Sequence, residues 1–306
     1  MVKRTLYFGN PAYLKTKENQ LYINYPDVNE YKKIPIEDIG VIILDHYQIT
    51  FSQALLTKLL GNNVAIISCD AQHLPHGMFL NLNGNHIQNA IFKIQMAASD
   101  SQKNKAWQQI IQQKIGNQAQ VLENKGIANK NIKYWQTKVK PNDPDNFEGR
   151  AAAYYWKHFW QEKEDFKRGR FEPAPNNLLN YGYAILRGVV ARSLTASGLL
   201  PTLGIHHSNK YNAYCLADDV MEPYRPVVDE LVASIYHTFQ EEEIENLTPN
   251  IKRELLQIPV LDVQMEDKNS PLMVAVQQTT SSLVKFFEKK TTQLKLPKVK
   301  PLELPF

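Results

Sequence analysis

The hydrophobic period of this chain changes once, near residue 80, and that change limits it to a few architectures. In the first eighty residues Arg4 to Phe8 and Gln20 to Tyr25 alternate at period two, while Val41–Leu44 and Val64–Ser68 are short β-branched runs. Asn10-Pro11 and Tyr25-Pro26-Asp27 supply turns between them. A single helical stripe interrupts at about 52–60, where Phe51, Leu55, Leu56, Leu59 and Leu60 share a face ended by Gly61-Asn62. From about residue 86 the period becomes helical. Ile87, Ile91, Ile94 and Gln95 lead into one helix, and Trp107, Ile110, Ile111 and Ile115 form a stripe before Gly116. Residues 147–161 and 176–197 read as strong helices, the second capped by Asn176 or Asn177 and stopped at Gly198. Ser270-Pro271 opens the last long helix. The expected fold is α+β: a small β-rich domain over 1–75, a linker over 76–85, a larger all-α helical domain over 86–290 and an extended tail over 291–306.

Among 306 residues, 43% are hydrophobic and 22% charged, which argues for packed domains rather than disorder. No run of eighteen apolar residues offers a membrane span, and MVKRTLYFGN lacks the apolar stretch of a signal peptide. Cys69 and Cys215 have no C-x-x-C spacing and read as buried structural thiols in a reducing cytoplasm. The formal charge of +4 is modest, but the basic residues cluster. Residues 125–140 hold five lysines and no acid beside Tyr134 and Trp135; Lys167, Arg168 and Arg170 crowd one loop; Lys285 to Lys300 holds six lysines against one glutamate. Each run alone fits a solvated face, and together they point to a polyanion partner. Tyr134 and Trp135 suit stacking on a splayed base, and Trp135 equally suits core packing.

Three stretches set polar groups inside apolar helical sequence: Asn146 to Trp156 with Glu148, Leu203 to His207 with two histidines, and Leu216 to Pro226 with Asp219 and Glu222. Asp219 and Glu222 stand i, i+3, which puts both carboxylates on one helical face. Carboxylates clustered in a packed setting repel one another unless a cation neutralises them, and a hard divalent ion is one solution. Ordinary readings exist for each stretch: Glu148 paired with an arginine, His206-His207 capping a helix, Asp219 and Glu222 in a salt-bridge network with Arg225 or Lys210.

Taken together, Glu148 in EGRAAAYYW, His207 in LGIHHSNKYN and the run LADDVMEPYRP resemble the integrase of CRISPR adaptation, the first-numbered CRISPR-associated protein, in the form that accompanies the single-protein (type II) effector. The resemblance covers nearly the whole chain. It implies a Mg2+ or Mn2+ ion held by Glu148, His207 and Glu222, with Asp219 as a further candidate that binds directly or orients His207. His207 is preferred to His206 because its separation from Asp219 and Glu222 is the family's usual one. Many relatives carry an arginine five residues after the glutamate, where Ala153 stands here, and Arg150 is the substitute considered for its DNA contact. Lys167, Arg168, Arg170, Arg187 and Arg225 complete the DNA-contact candidates. Pro223 disfavours helical geometry at Glu222 and is expected to aim its carboxylate away from the helix.

The implied activity is metal-dependent DNA cleavage and spacer insertion into the CRISPR array by transesterification. Implied partners are double-stranded DNA (spacer precursor and repeat), a second copy of the chain joined through the β-rich domain, a dimer of the second adaptation protein between two such dimers, and the type II effector, with no membrane. Two rival readings are a general metal-dependent nuclease of branched DNA and a non-enzymatic DNA-binding scaffold.

Overall fold

The computed structural model describes residues 3–26, 31–163 and 165–301. Asp27 of the expected turn and residues 302–306 of the expected tail lie outside the described residues. The first part contains β1 (Arg4–Phe8), β2 (Ala12–Lys17), β3 (Gln20–Asn24), β4 (Tyr31–Pro35), β5 (Ile39–Leu44), β6 (Ile49–Phe51), α1 (Gln53–Gly61), β7 (Ala65–Cys69) and β8 (Pro75–Phe79). They build two four-stranded sheets, ordered β1-β5-β7-β8 and β4-β3-β2-β6. In the first, β1, β5 and β7 run parallel and β8 closes antiparallel on β7. In the second, β2, β3 and β4 form an antiparallel meander and β6 pairs parallel with β2.

The runs at 41–44 and 64–68 are apolar without alternation because their sheet is buried on both faces. Ile42 and Ile66 face a core shared with Leu14, Leu21, Leu55 and Leu59. Val41, Ile43 and Ile67 point the other way, into the core of the helical part. Val41, Ile43 and Ile67 are each at most 1% exposed, and burial of such a side chain contributes roughly 1.5–3 kcal/mol.

The helical part holds α2 (Gln88–Met96), α3 (Asp100–Asn124), α4 (Lys130–Lys138), α5 (Phe147–Phe159), α6 (Asn176–Ala196), α7 (Cys215–Met221), α8 (Arg225–Thr238), α9 (Glu241–Glu245) and α10 (Pro249–Leu255). A hairpin of β9 (Asp262–Met265) and β10 (Lys268–Pro271) then leads into α11 (Leu272–Phe287). Helix α6 is the axis of this part, with most of its residues buried. It lies so close to the first sheet that a Cβ on Gly188 would come 2.7 Å from the Ile67 Cδ1 atom.

Several sequence expectations need correction. Residues 76–79 of the linker expected over 76–85 are strand, because β8 pairs with β7 through Phe79. The second part is not purely helical, since β9 and β10 pair. The stripe read before Gly116 extends beyond it, since α3 continues to Asn124 with Ile115 and Ala119 packed in the core. Neither asparagine caps α6: Pro175 holds the cap position, and Asn176 instead ties down the 167–173 loop through Gly169 N, Lys167 O and Pro173 O. Both cysteines are free; Cys215 is buried, but Cys69 is only half-buried.

Candidate active site

Helix α3 organises the site. Residues 107, 110, 111, 114 and 115 share its inward face, and four of them are apolar; the fifth is Lys114. The Lys114 ammonium lies 2.7 Å from Glu148 Oε1 and 2.5 Å from Glu222 Oε2. One turn later, buried Asn117 donates to the carbonyls of Pro223 (2.6 Å) and Pro297 (2.9 Å) and accepts from Val299 N (3.2 Å). It thereby fixes α3 against the turn that carries Glu222, and the chain's tail against both.

Glu148 stands in the first turn of α5, where unpaired backbone N–H groups favour negative charge. That turn is secured by its approach: Asn146 adopts a left-handed conformation and accepts from Gly149 N, and Asp143 accepts from Phe147 N and Glu148 N. Glu222 follows α7. Its backbone stays helical (φ −52°, ψ −45°), so the expectation that Pro223 would break the helix there is corrected. The proline bias is a preference, and here a single 3-10 turn, Glu222–Tyr224, passes the chain into α8. The carboxylate therefore points inward, 2.5 Å from Lys114 and 3.0 Å from Arg225 Nε. Burial pushes the Glu222 carboxyl up, but Arg225 and Lys114 outweigh it and hold the pKa below the usual carboxylate range. Burial likewise works against the Lys114 charge, and Glu222 and Glu148 overcome it.

Asp219 and Glu222 share a helical face yet face different partners. Asp219 is fully buried, and both its oxygens are filled by one loop. Oδ2 accepts from Ile205 N (2.6 Å) and His206 N (3.0 Å); Oδ1 accepts from His207 N (3.2 Å) and bonds His207 Nδ1 at 2.5 Å. The Asp219 hydrogen bond raises the His207 pKa against the opposing effect of burial, with Glu222 and Glu148 adding to the rise. Gly204 makes this wrap possible, because a Cβ there would collide with the His207 carbonyl oxygen and meet Asp219 Oδ2 at 3.0 Å. His206 turns the other way and stacks on buried Trp107, with ring centres 4.3 Å apart and planes within 4°. Of the adjacent histidines, His207 is the one that shares the Glu148–Glu222 neighbourhood, and its side chain is 41% exposed.

The basic candidates separate. Arg187 is bound bidentately by Asp218, at 2.7 and 3.1 Å. Arg168 is spent on the Gly169 carbonyl and the Asn176 and Asn180 side chains. Arg168, Arg170, Arg187 and Arg225, with exposed Phe171 and buried Met221, line one cleft of about 800 Å³. A second cleft, about 440 Å³, opens on His207 with Lys103 and Lys210 on its walls. Lys167 is exposed beside Lys163 and Glu172. Arg150 is exposed and, two residues on, lies about 200° around α5 from Glu148, so it does not join the cluster. Tyr134 is 59% exposed, whereas Trp135 packs edge-on against Tyr154 at the core margin. Tail lysines are partly neutralised within the chain, Lys295 by Glu266 and Lys300 by Asp262.

Among the described residues no group of three or more His, Cys, Asp or Glu side chains is gathered tightly enough to hold a metal ion. What is gathered is a pair of carboxylates from separate elements closed on an ammonium. Two hard oxygens converging on a cation, beside an imidazole whose Nδ1 is already committed, make a donor set that fits a divalent ion. Sequence reasoning missed Lys114 and Asn117. The available signal was a lysine at an inward position of an otherwise apolar stripe.

Residues 6–246 match the family model for CRISPR associated protein Cas1. The chain is 35% identical to the CRISPR-associated endonuclease Cas1 of Neisseria meningitidis serogroup C (strain 8013), over 99% of this chain and 98% of that protein. Its fold is similar to that of a casposase bound to integration product, with TM-score 0.81 and 19% identity over 100% of this chain and 96% of that one. A chain of a Cas6-RT-Cas1–Cas2 complex is also similar, with TM-score 0.74 and 21% identity over 99% of this chain and 36% of that one. With the family model matched over most of its length and a relative this similar from end to end, the chain belongs to the Cas1 family of CRISPR-associated proteins.

Proposed function

We propose that this chain is a Mg2+- or Mn2+-dependent DNA endonuclease and integrase of CRISPR adaptation, in which Glu148, His207 and Glu222 hold the ion. The observation that carries the reading is the closure of Glu148 and Glu222, from two different elements, on one cationic position beside His207. The similar endonuclease from Neisseria and the casposase bound to integration product support the reaction class. When bound, the ion would neutralise charge developing on phosphorus and favour deprotonation of the attacking hydroxyl.

The chain's own residues do the rest. Asp219, through Nδ1, fixes the His207 ring and leaves Nε2 as the coordinating nitrogen. Arg225, held by Glu222, supplies positive charge where the pentavalent phosphorus would gather negative charge. Arg170, Arg187 and Arg225 line the cleft that would take the phosphate backbone, which positions DNA without reading its sequence. In strand transfer a 3′-oxygen of the spacer precursor forms a bond to phosphorus, the repeat's P–O bond breaks, and the departing oxygen takes a proton. Ester replaces ester, so no nucleotide triphosphate is required. Water in place of the hydroxyl gives cleavage from the same residues. We further propose partnership with a second copy of the chain and with a Cas2-type protein, the latter supported by the similar chain from a Cas1–Cas2 complex.

The test is incubation of the protein and its second adaptation protein with a labelled duplex and a supercoiled plasmid carrying the repeat. Label joined to the plasmid, dependent on Mg2+ or Mn2+, is expected. Cutting of branched DNA without joining would favour the general nuclease, and DNA binding with neither activity would favour the scaffold.

A further inference from the structure

The position of Lys114 bears on how the ion and DNA are loaded, and the inference rests on the metal site proposed above. Its ammonium lies between oxygens of Glu148 and Glu222, at 2.7 and 2.5 Å, with a side chain 12% exposed. A divalent ion takes carboxylate oxygens at about 2.0–2.6 Å, depending on the ion, and would need the same space. Charge leads to the same conclusion. Glu148 and Glu222 contribute two negative charges, and Lys114 and Arg225 already balance them with two positive ones. Adding a divalent ion while keeping both cations would leave two uncompensated positive charges in a largely buried cluster, which is costly. A DNA phosphodiester shared by the displaced ammonium and the ion offsets one of those two charges, and it is the anion at hand in the proposed reaction.

We propose that Lys114 is a positioning residue that occupies the ion's place in metal-free protein and moves onto a DNA phosphate when the ion enters, so that metal and DNA load together. In the metal-free state it keeps the two carboxylates from repelling each other. In the loaded state it adds a phosphate contact. Binding of either ligand therefore strengthens binding of the other by the same factor.

The experiment is Mn2+ titration of the full-length protein, with and without a short blunt duplex, after subtracting Mn2+ bound by the duplex alone. Wild type is expected to bind Mn2+ at least about tenfold more tightly when DNA is present. Lys114→Gln is expected to bind Mn2+ more tightly than wild type without DNA and to show a DNA dependence reduced to about twofold or less. Its metal-free melting temperature should fall, and Mn2+ should raise it by more than it raises that of wild type, because the ion replaces the missing charge; a merely structural lysine would give equal shifts. Lys114→Arg keeps the charge and grips both carboxylates with a planar fork, so DNA-free Mn2+ binding should be weaker than in wild type. If wild type binds Mn2+ and Lys114→Gln keeps the full DNA dependence, or Lys114→Arg binds Mn2+ as wild type does, the inference is overturned while the metal site stands. If wild type shows no saturable Mn2+ binding that Glu148→Gln removes, the metal site itself is overturned, and the inference falls with it.

Discussion

At the scale of single residues, Asp219 and Glu222 show how two acids one helical turn apart take different tasks. Asp219 accepts three backbone N–H groups and the His207 ring, so its negative charge is already satisfied by the loop it holds. Glu222 instead faces two side-chain cations, Lys114 at 2.5 Å and Arg225 at 3.0 Å. Asp219→Asn should cut strand transfer by roughly 10- to 100-fold, the usual loss when a ligand's orienting partner is removed, and high Mn2+ should restore part of it. Glu222→Gln should cost more and recover less. Titrating strand transfer against Mn2+ for the two variants decides between them; a dead Asp219→Asn beside a rescued Glu222→Gln would exchange their roles. Asp229 offers a separate test. It is buried, accepts from the Tyr155 and Tyr183 hydroxyls at 3.1 and 2.5 Å, and burial pushes its carboxyl up to about 7. Its unfolded value lies near 3.9, so between about pH 4 and 7 the folded chain holds a proton that the unfolded chain has lost. Its contribution to stability therefore falls as pH rises through that window, by up to about 1.4 kcal/mol per pH unit. Urea midpoints compared across pH should show this slope in wild type and lose it in Asp229→Asn; equal slopes would refute it.

At the scale of elements, the site is a set of loops and turns fastened to α3, and that fastening sets what the sequence made legible. The stretches carrying Glu148, His207, Asp219 and Glu222 stood out because polar groups interrupt apolar helical patterns, and the family resemblance singled out those residues within them. Lys114 and Asn117 did not, because the apolar stripe around them reads as ordinary core, and only packing reveals what lies opposite. Spacing favoured His207 over His206, and in the structure His206 stacks on Trp107 while His207 bonds to Asp219. The 163–172 loop shows the opposite failure. Its basic residues read as one phosphate grip, but Arg168 is bound to Asn176 and Asn180, which leaves Lys167 and Arg170 to meet a phosphate. Replacing Lys167 and Arg170 by alanine should lower the log–log salt slope of duplex binding by about 1.8, at roughly 0.9 for each phosphate no longer neutralised. Arg168→Ala should instead lower the melting temperature. A slope unchanged by the double variant would mean that the loop does not touch DNA.

At the scale of the whole molecule, the β-rich first part and the mostly helical second part share a core. The break in period near residue 80 marked the change of architecture correctly. It did not reveal that β5 and β7 are covered on both faces, although their unbroken apolar runs carried that information. A buried polar contact adds to this interface: Asp45, at the end of β5, is 2.7 Å from Lys252 of α10 and also accepts from the Tyr7 hydroxyl. Lys252→Met strands a buried carboxylate and should cost on the order of 3–5 kcal/mol, read as a lower denaturant midpoint. An unchanged midpoint would show that the two parts hold together without this pair. The central claim is that Glu148, His207 and Glu222 together hold the ion that drives strand transfer, and the most direct measurement is plasmid integration by Glu148→Gln, His207→Ala, Glu222→Gln and His206→Ala, each checked for an unchanged fold by circular dichroism. The first three should lose at least about a hundredfold in rate, from the missing charge stabilisation, while His206→Ala stays far closer to wild type. Near-normal integration by any of the first three, or a His206→Ala loss exceeding that of His207→Ala, would contradict the account.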